Sequence, residues 1–219
     1  MRTIVYVDGF NLYFRLLVRR PSLKWLNIKA LAAMLLSPAN VIVAVRYYTA
    51  RVSGRNDTDA PARQQVYLDA LRTIPEVSIH MGRFLMSEKF AELVKPPEFR
   101  PRITLAPPWP DVVRIVRTEE KGSDVNLASH LLLDALQSNF DVAVVLSNDS
   151  DLVEPIRIAT TTLGKPVGLL SPVSNPTPEL RKVASFIRRI SVSDLRASQF
   201  PDPIPRADGS RLARPPTWV

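Results

Sequence analysis

Asp141-Val142-Ala143-Val144-Val145-Leu146-Ser147-Asn148-Asp149-Ser150-Asp151 is the stretch on which the fold turns. Its first half is apolar and β-branched without polar alternation. That predicts a strand over Asp141–Leu146, covered on both faces as strands of parallel sheets are. Ser147-Asn148 breaks the run. A helix is expected over Leu152–Leu163, with Gly164 placed to end it. Downstream, short strands are expected at Pro166–Leu170 and Phe186–Ile190, around a helix at Pro178–Ala184. Upstream stand a helix over Ser123–Gln137 and a strand near Val112–Arg117.

The amino-terminal half has the same rhythm. Arg2–Val7 reads as a buried strand closed by Asp8-Gly9, followed by helices over Asn11–Arg19 and Ile28–Leu36. Val41–Ala50 is a second strand. A polar loop, a helix over 58–73 and an extended segment at Val77–Phe84 come next. Strands alternating with helices give an α/β fold: three layers, a Rossmann-like, mostly parallel sheet with helices on both faces. In such sheets sites gather beyond the carboxyl ends of the strands, where the strand order switches. Two stretches break the rhythm. Residues 85–111 hold Pro96, Pro97, Pro101, Pro107, Pro108 and Pro110 and read as an extended or looped insertion. Residues 193–219 are rich in proline and arginine and read as a basic extended arm beyond a domain at 1–192.

Composition narrows the chemistry. The 219 residues suit one domain with a full core, and 46% apolar with 23% charged residues is an ordinary globular balance. No apolar run is long enough for a membrane span, and MRTIVYVDGF lacks the pattern of a signal peptide. The expectation is a cytoplasmic protein with no membrane partner. Cysteine is absent, so disulfides and thiolate metal sites are excluded, and with histidine limited to His80 and His130 a histidine-rich zinc site is not expected. Any metal would take oxygen ligands, which points to Mg2+ or Mn2+. The net charge of +8 favours polyanions, nucleic acid first among them.

The acids carry the chemistry. Asp8 follows the first strand, Asp149 and Asp151 follow the most apolar strand, and Asp124 opens a helix. All of them fall at one edge of a parallel sheet. Carboxylates converging in one cleft repel each other unless a cation sits among them. Taken one at a time, Asp124, Asp149 and Asp151 read as helix caps and Asp8 as a turn residue; caps alone do not require several acids at one sheet edge. Asn11 and Ser147 are placed to support the site. Lys121, Arg46 and Arg51 are candidate phosphate contacts, and each also reads as an ordinary exposed cation. Phe10, Tyr13 and Phe14 read mainly as packing for the first helix, with stacking on bases the alternative for a ring at the rim. His130 reads as structural.

Three motifs, in order, carry a resemblance: Asp8-Gly9-Phe10-Asn11-Leu12; Glu120-Lys121-Gly122-Ser123-Asp124 with Asn126-Leu127-Ala128; and Ser147-Asn148-Asp149-Ser150-Asp151. Together they resemble the NYN domain, a branch of the PIN-like nucleases, over about residues 3–190. The resemblance implies a PIN-like fold and an RNA-cleaving, Mg2+- or Mn2+-dependent nuclease. It also implies an acidic site of Asp8, Asp124, Asp149 and Asp151, supported by Asn11 and Ser147. Leu152 stands where the family's motif usually has an aromatic residue. The partner expected is RNA, with other nucleic acid and self-association left open. Two alternatives stay open: another phosphoryl-transfer fold with Asp-x-Asp after a strand, and a non-catalytic RNA- or partner-binding module on the same fold.

Overall fold

A computed structural model describes residues 1–55, 57–206 and 208–218. Its main strands are β1 (Arg2–Asp8), β2 (Val41–Ala50), β3 (Val77–Glu92), β4 (Val112–Lys121), β5 (Val142–Leu146), β6 (Val167–Ser171) and β7 (Phe186–Arg189). The helices are α1 (Gly9–Leu12), which runs on into a wider π-helical turn at Tyr13–Leu17, α2 (Ile28–Leu35), α3 (Ala60–Leu71), α4 (Ser123–Leu136), α5 (Val153–Arg157), α6 (Pro178–Val183) and α7 (Val192–Ala197). The strands form one sheet in the order β4-β3-β2-β1-β5-β6-β7, parallel throughout except for the antiparallel β3–β4 pair.

The central place of β1 follows from its sequence. Thr3 through Asp8 are all buried, so both faces must be covered and both edges paired. β1 pairs with β2 on one side and β5 on the other. The chain builds outward from β1 through β4, then returns to lay β5 against β1's free edge. That return is the switch in strand order, and the carboxyl ends of β1 and β5 flank it. Alternate residues of β1 serve two cores. Val5 and Val7 share a core with Leu12, Leu31 and Leu68 from the helices of one layer and with Trp25 from the loop before α2. Ile4 and Tyr6 face Leu127, Leu131, Ile156 and Leu180 from the other. At the end of β1 the chain turns so tightly under β2 that a Cβ on Gly9 would lie 2.6 Å from the Tyr48 carbonyl oxygen. Only glycine fits there.

Two expectations need correcting. The segment expected to end at Phe84 continues to Glu92 and pairs with β4 along a hairpin running from Arg83↔Lys121 to Glu92↔Val112. The first eight residues of the insertion expected at 85–111 are therefore strand, and only the connection at 93–111 is irregular. Every proline of the region lies in that connection, because proline removes a ladder donor and is kept out of paired strands.

The carboxyl-terminal stretch is not an extended arm. Its start is α7, opened by a capping box between Ser191 and Asp194. Leu195, Phe200, Ile204 and Trp218 are all buried in the same core as β1. Trp218 packs edge-on to Trp25 at 6.4 Å and to Tyr67 at 6.2 Å. Phe200 N–H donates to the Trp25 carbonyl at 2.9 Å, and the Trp25 indole donates to the Pro201 carbonyl at 3.0 Å. The prolines and arginines masked four apolar anchors spaced between them. Trp218→Ala should lower the stability of the whole domain by about 3 kcal/mol, the low end for removing a buried tryptophan. Urea unfolding followed by circular dichroism checks this, and an unmoved midpoint contradicts the packing.

Candidate metal centre

Asp8, the last residue of β1, turns its carboxylate back onto the chain it precedes. Oδ1 accepts from the Asn11 N–H at 2.9 Å and caps α1. Oδ2 accepts from the Ser147 hydroxyl at 2.8 Å, at the carboxyl end of β5. Ser147 Oγ in turn accepts from the Asp149 N–H at 3.0 Å, and Asn11 Oδ1 accepts from the Asn148 N–H at 3.1 Å. Asn148 reaches on to α6, its Oδ1 accepting from the Thr177 N–H at 3.0 Å. The loops after β1 and β5 are thus knitted by side chains of the very motifs that close those strands.

Asp124 arrives from a third direction, in the first turn of α4. Gly122 precedes that helix with φ of 104°, a left-handed conformation that favours glycine and turns the chain from β4 into α4. One carboxylate oxygen from each of Asp8, Asp124 and Asp149 lies within 4.8 Å of the others. They line an open cleft of about 420 Å³ together with Phe10, Asn11, Phe14, Arg15, Phe84 and Glu120.

The electrostatics are those of uncompensated acids. Burial, then repulsion by Asp8, Asp149, Glu120 and Asp151, pushes the Asp124 carboxyl up to about 6. Burial also raises Asp8, against the lowering effect of its bonds from Asn11 and Ser147. Among the described residues no lysine or arginine is ion-paired with any of the three. Three converging oxygen donors with no ion-paired cation among the described residues are compatible with a divalent metal site.

The other residues singled out from sequence are distributed differently. Asp151 is exposed and outside the three-acid cluster; its N–H donates to Asp149 Oδ1 at 3.0 Å. Asp8 and Asp149 cap their helical turns as well as lining the cleft, so the two roles are not exclusive. Arg46 turns into the sheet's other face, where Nε and NH2 both meet Asp134 at 2.9 Å. Tyr6 donates to the same carboxylate at 2.7 Å. Arg51 donates to Gln65, and Lys121 pairs with Glu119 at 3.2 Å. None of these three cations lines the acidic cleft. His130 packs against His80 and meets the Tyr48 hydroxyl at 3.0 Å, a structural placement.

Glu120, Arg15, Phe84 and the rim phenylalanines are cleft residues that the sequence reading left without a place there. For Arg15 and Phe14 a signal existed: Asn11–Arg15 and Phe10–Phe14 are spaced i, i+4, which puts each pair on one helical face. For Glu120 and Phe84 the approach of the β3–β4 pair was the missing information.

Residues 2–191 match the NYN domain. The chain belongs to the NYN domain family. This NYN protein has a nuclease-like fold carrying an acidic group able to hold a metal. It is 26% identical over 231 residues, 94% of this chain and 72% of the other, to a protein named 6-hydroxy-3-succinoylpyridine 3-monooxygenase HspA from Pseudomonas putida (strain DSM 28022 / S16). Its fold is shared with the crystal structure of a protein of unknown function from Vibrio parahaemolyticus RIMD 2210633. That likeness has a TM-score of 0.52 at 15% identity and covers 87% of this chain and 93% of that one. No helix among the described residues is long and apolar enough to cross a membrane.

The raised pKa of Asp124 has a stability consequence. A folded-state value of about 6 against an ordinary 3.8 means that the folded protein holds this proton more tightly than the unfolded chain. The associated stability is fully present below 3.8 and lost as pH rises through about 6. In chelator at about pH 7, Asp124→Asn should therefore melt at or above wild type, and the two should converge as pH falls toward about 4. Thermal melts across that range check it; a variant that stays below wild type at neutral pH contradicts the crowding of charge.

Proposed function

We propose that this NYN protein is a metal-dependent ribonuclease that hydrolyses RNA phosphodiester bonds in the cleft between β1, β5 and α4. The observation that carries the reading is the convergence of Asp8, Asp124 and Asp149 within 4.8 Å at the switch in strand order. All three donors are carboxylate oxygens, the set preferred by hard cations such as Mg2+ or Mn2+. A divalent ion held there supplies charge at the phosphoryl oxygens and a water of lowered pKa. Asn11 and Ser147 hold the Asp8–Asp149 geometry through the hydrogen bonds above. Arg15, on the wall of the cleft, is the cation placed to meet a neighbouring phosphate. The net charge of +8 supports a polyanionic substrate.

A second reading, oxidation of a small aromatic substrate, is favoured by the name of the Pseudomonas putida relative and by the aromatic wall of the cleft. One set of assays separates the two. Labelled single-stranded RNA is incubated with manganese or with chelator, beside oxygen-uptake measurements on 6-hydroxy-3-succinoylpyridine with a reduced nicotinamide and flavin supplied as the electron donor. We expect manganese-dependent RNA cleavage. Asp149→Asn and Asp8→Asn should each slow it by roughly two orders of magnitude or more while RNA binding in chelator is largely kept, since affinity rests on basic residues. Cleavage by Asp149→Asn at the wild-type rate, or oxygen uptake without RNA cleavage, overturns the nuclease reading.

A further inference from the structure

The acidic cleft shares part of its lining with a second cavity. That cavity, of about 260 Å³, lies on the other side of Phe10, Phe14 and Phe84, and those three rings line both. Its own walls include Tyr47, Tyr67 and Trp218, with Lys24 and Arg63 among them. It is therefore aromatic on several sides, has cations in its lining, and shares a partition with the carboxylates.

The partition is built in an unusual way for a protein surface. Phe10 and Phe14 are stacked, with centroids 6.3 Å apart and planes 18° apart. Phe84 meets Phe10 edge-on at 5.6 Å, and Tyr13 meets Phe14 edge-on at 5.3 Å. Yet Phe14 remains 62% exposed. A core-packing role leaves a ring covered, and this one presents a face to the solvent. Beside it, Lys24 Nζ stands 5.3 Å from the Tyr13 ring centre and within 3.5 Å of its hydroxyl. Aromatic faces ordered by their neighbours, with cations alongside, form the usual platform for unpaired bases and their phosphates. The cavity is smaller than the roughly 300–1,000 Å³ of typical ligand pockets, which suits a single flat ring better than a whole nucleotide.

We infer that the aromatic cavity receives one unpaired nucleobase of a single-stranded substrate, stacked on Phe14, while the adjoining phosphate lies across the Phe10–Phe14–Phe84 partition at the carboxylates. This rests on the nuclease reading for the identity of the strand, but the ring-binding site itself does not require cleavage. A base inside a duplex cannot enter, so the arrangement selects unpaired nucleotides next to the cleaved bond. In the lining Arg63 is ion-paired with Asp57 and Gln64 is bonded to the backbone of Ala50 and Val52, so Lys24 is the cation left to meet the edge of the base, and shape and stacking outweigh sequence.

The test is an equilibrium measurement on the full chain in chelator, where cleavage does not enter. The probe is a short single-stranded RNA carrying one 2-aminopurine, whose fluorescence falls when its ring stacks. Wild type should quench it. Phe14→Ala should weaken binding roughly 5- to 100-fold, the range for losing one base-stacking contact, and remove the quench. Phe14→Trp should restore both. The same RNA annealed to its complement should bind without quenching. Replacing the 2-aminopurine nucleotide by an abasic one should cost wild type affinity and Phe14→Ala little. Unchanged affinity and quench in Phe14→Ala overturns the inference, as does binding of a pyridine carboxylate by a wild type that does not quench the RNA probe. Quenching that depends on Phe14, in a protein that cuts no RNA with manganese, keeps the base site and rejects the nuclease reading alone.

Discussion

A carboxylate buried at the end of a central strand, with no ion-paired cation among the described residues, has to be held by hydrogen bonds. Asp8 is that group, and most of the site's geometry descends from how it is satisfied. One oxygen takes the Asn11 N–H and so starts α1; the other takes the Ser147 hydroxyl and so fixes the turn after β5. Ser147 then orients the Asp149 backbone, and Asn11 orients that of Asn148. Two loops more than a hundred residues apart in sequence become one rigid rim. The repulsion that remains between Asp8, Asp149 and Asp124 is a local cost of a kind that functional sites carry and the rest of the fold must offset.

The frame of this molecule was legible because its strands follow simple rules. Val142–Leu146 and Thr3–Val7 are apolar without alternation, and both lie where such strands belong, in the middle of a parallel sheet. Asp8, Asp124 and Asp149 could be placed at one edge from their position after a strand or at a helix start alone. The arginines were not legible. Arg46 has the same local signature as a phosphate contact, an exposed cation near a strand end, and only the approach of Asp134 from α4 diverts it into the sheet. Nothing in the residues beside Arg46 announces a partner 88 positions away.

Proline misled in two directions. In the 93–111 connection it marks irregular backbone correctly, yet its density drew the boundary too wide and hid the strand up to Glu92. After Ser198 it suggested an arm without a core, although Phe200, Ile204 and Trp218 are anchors whose burial needs no regular secondary structure. Proline reports on backbone donors and φ, not on whether the neighbouring side chains are buried. Trp218 shows why that distinction matters for function: the same ring that packs on Trp25 also forms part of the wall of the aromatic cavity.

The position of β1 has a further consequence during synthesis. Its β2-facing edge can pair after a few dozen residues more, but β5 lies well over a hundred residues later, as the 139-residue span of the Asp8–Ser147 bond shows. At about 5–20 residues per second, the ribosome takes on the order of ten seconds to deliver that partner. Throughout that interval Thr3-Ile4-Val5-Tyr6-Val7, uncharged and strongly β-forming, carries an unpaired edge, the pattern that recruits other chains. Only Arg2 and Asp8 interrupt it, one charge at each end. Such flanking charges are the usual gatekeepers of an unavoidable apolar strand. An aspartate of the acidic cluster in the finished protein thus also guards the nascent chain against its own copies.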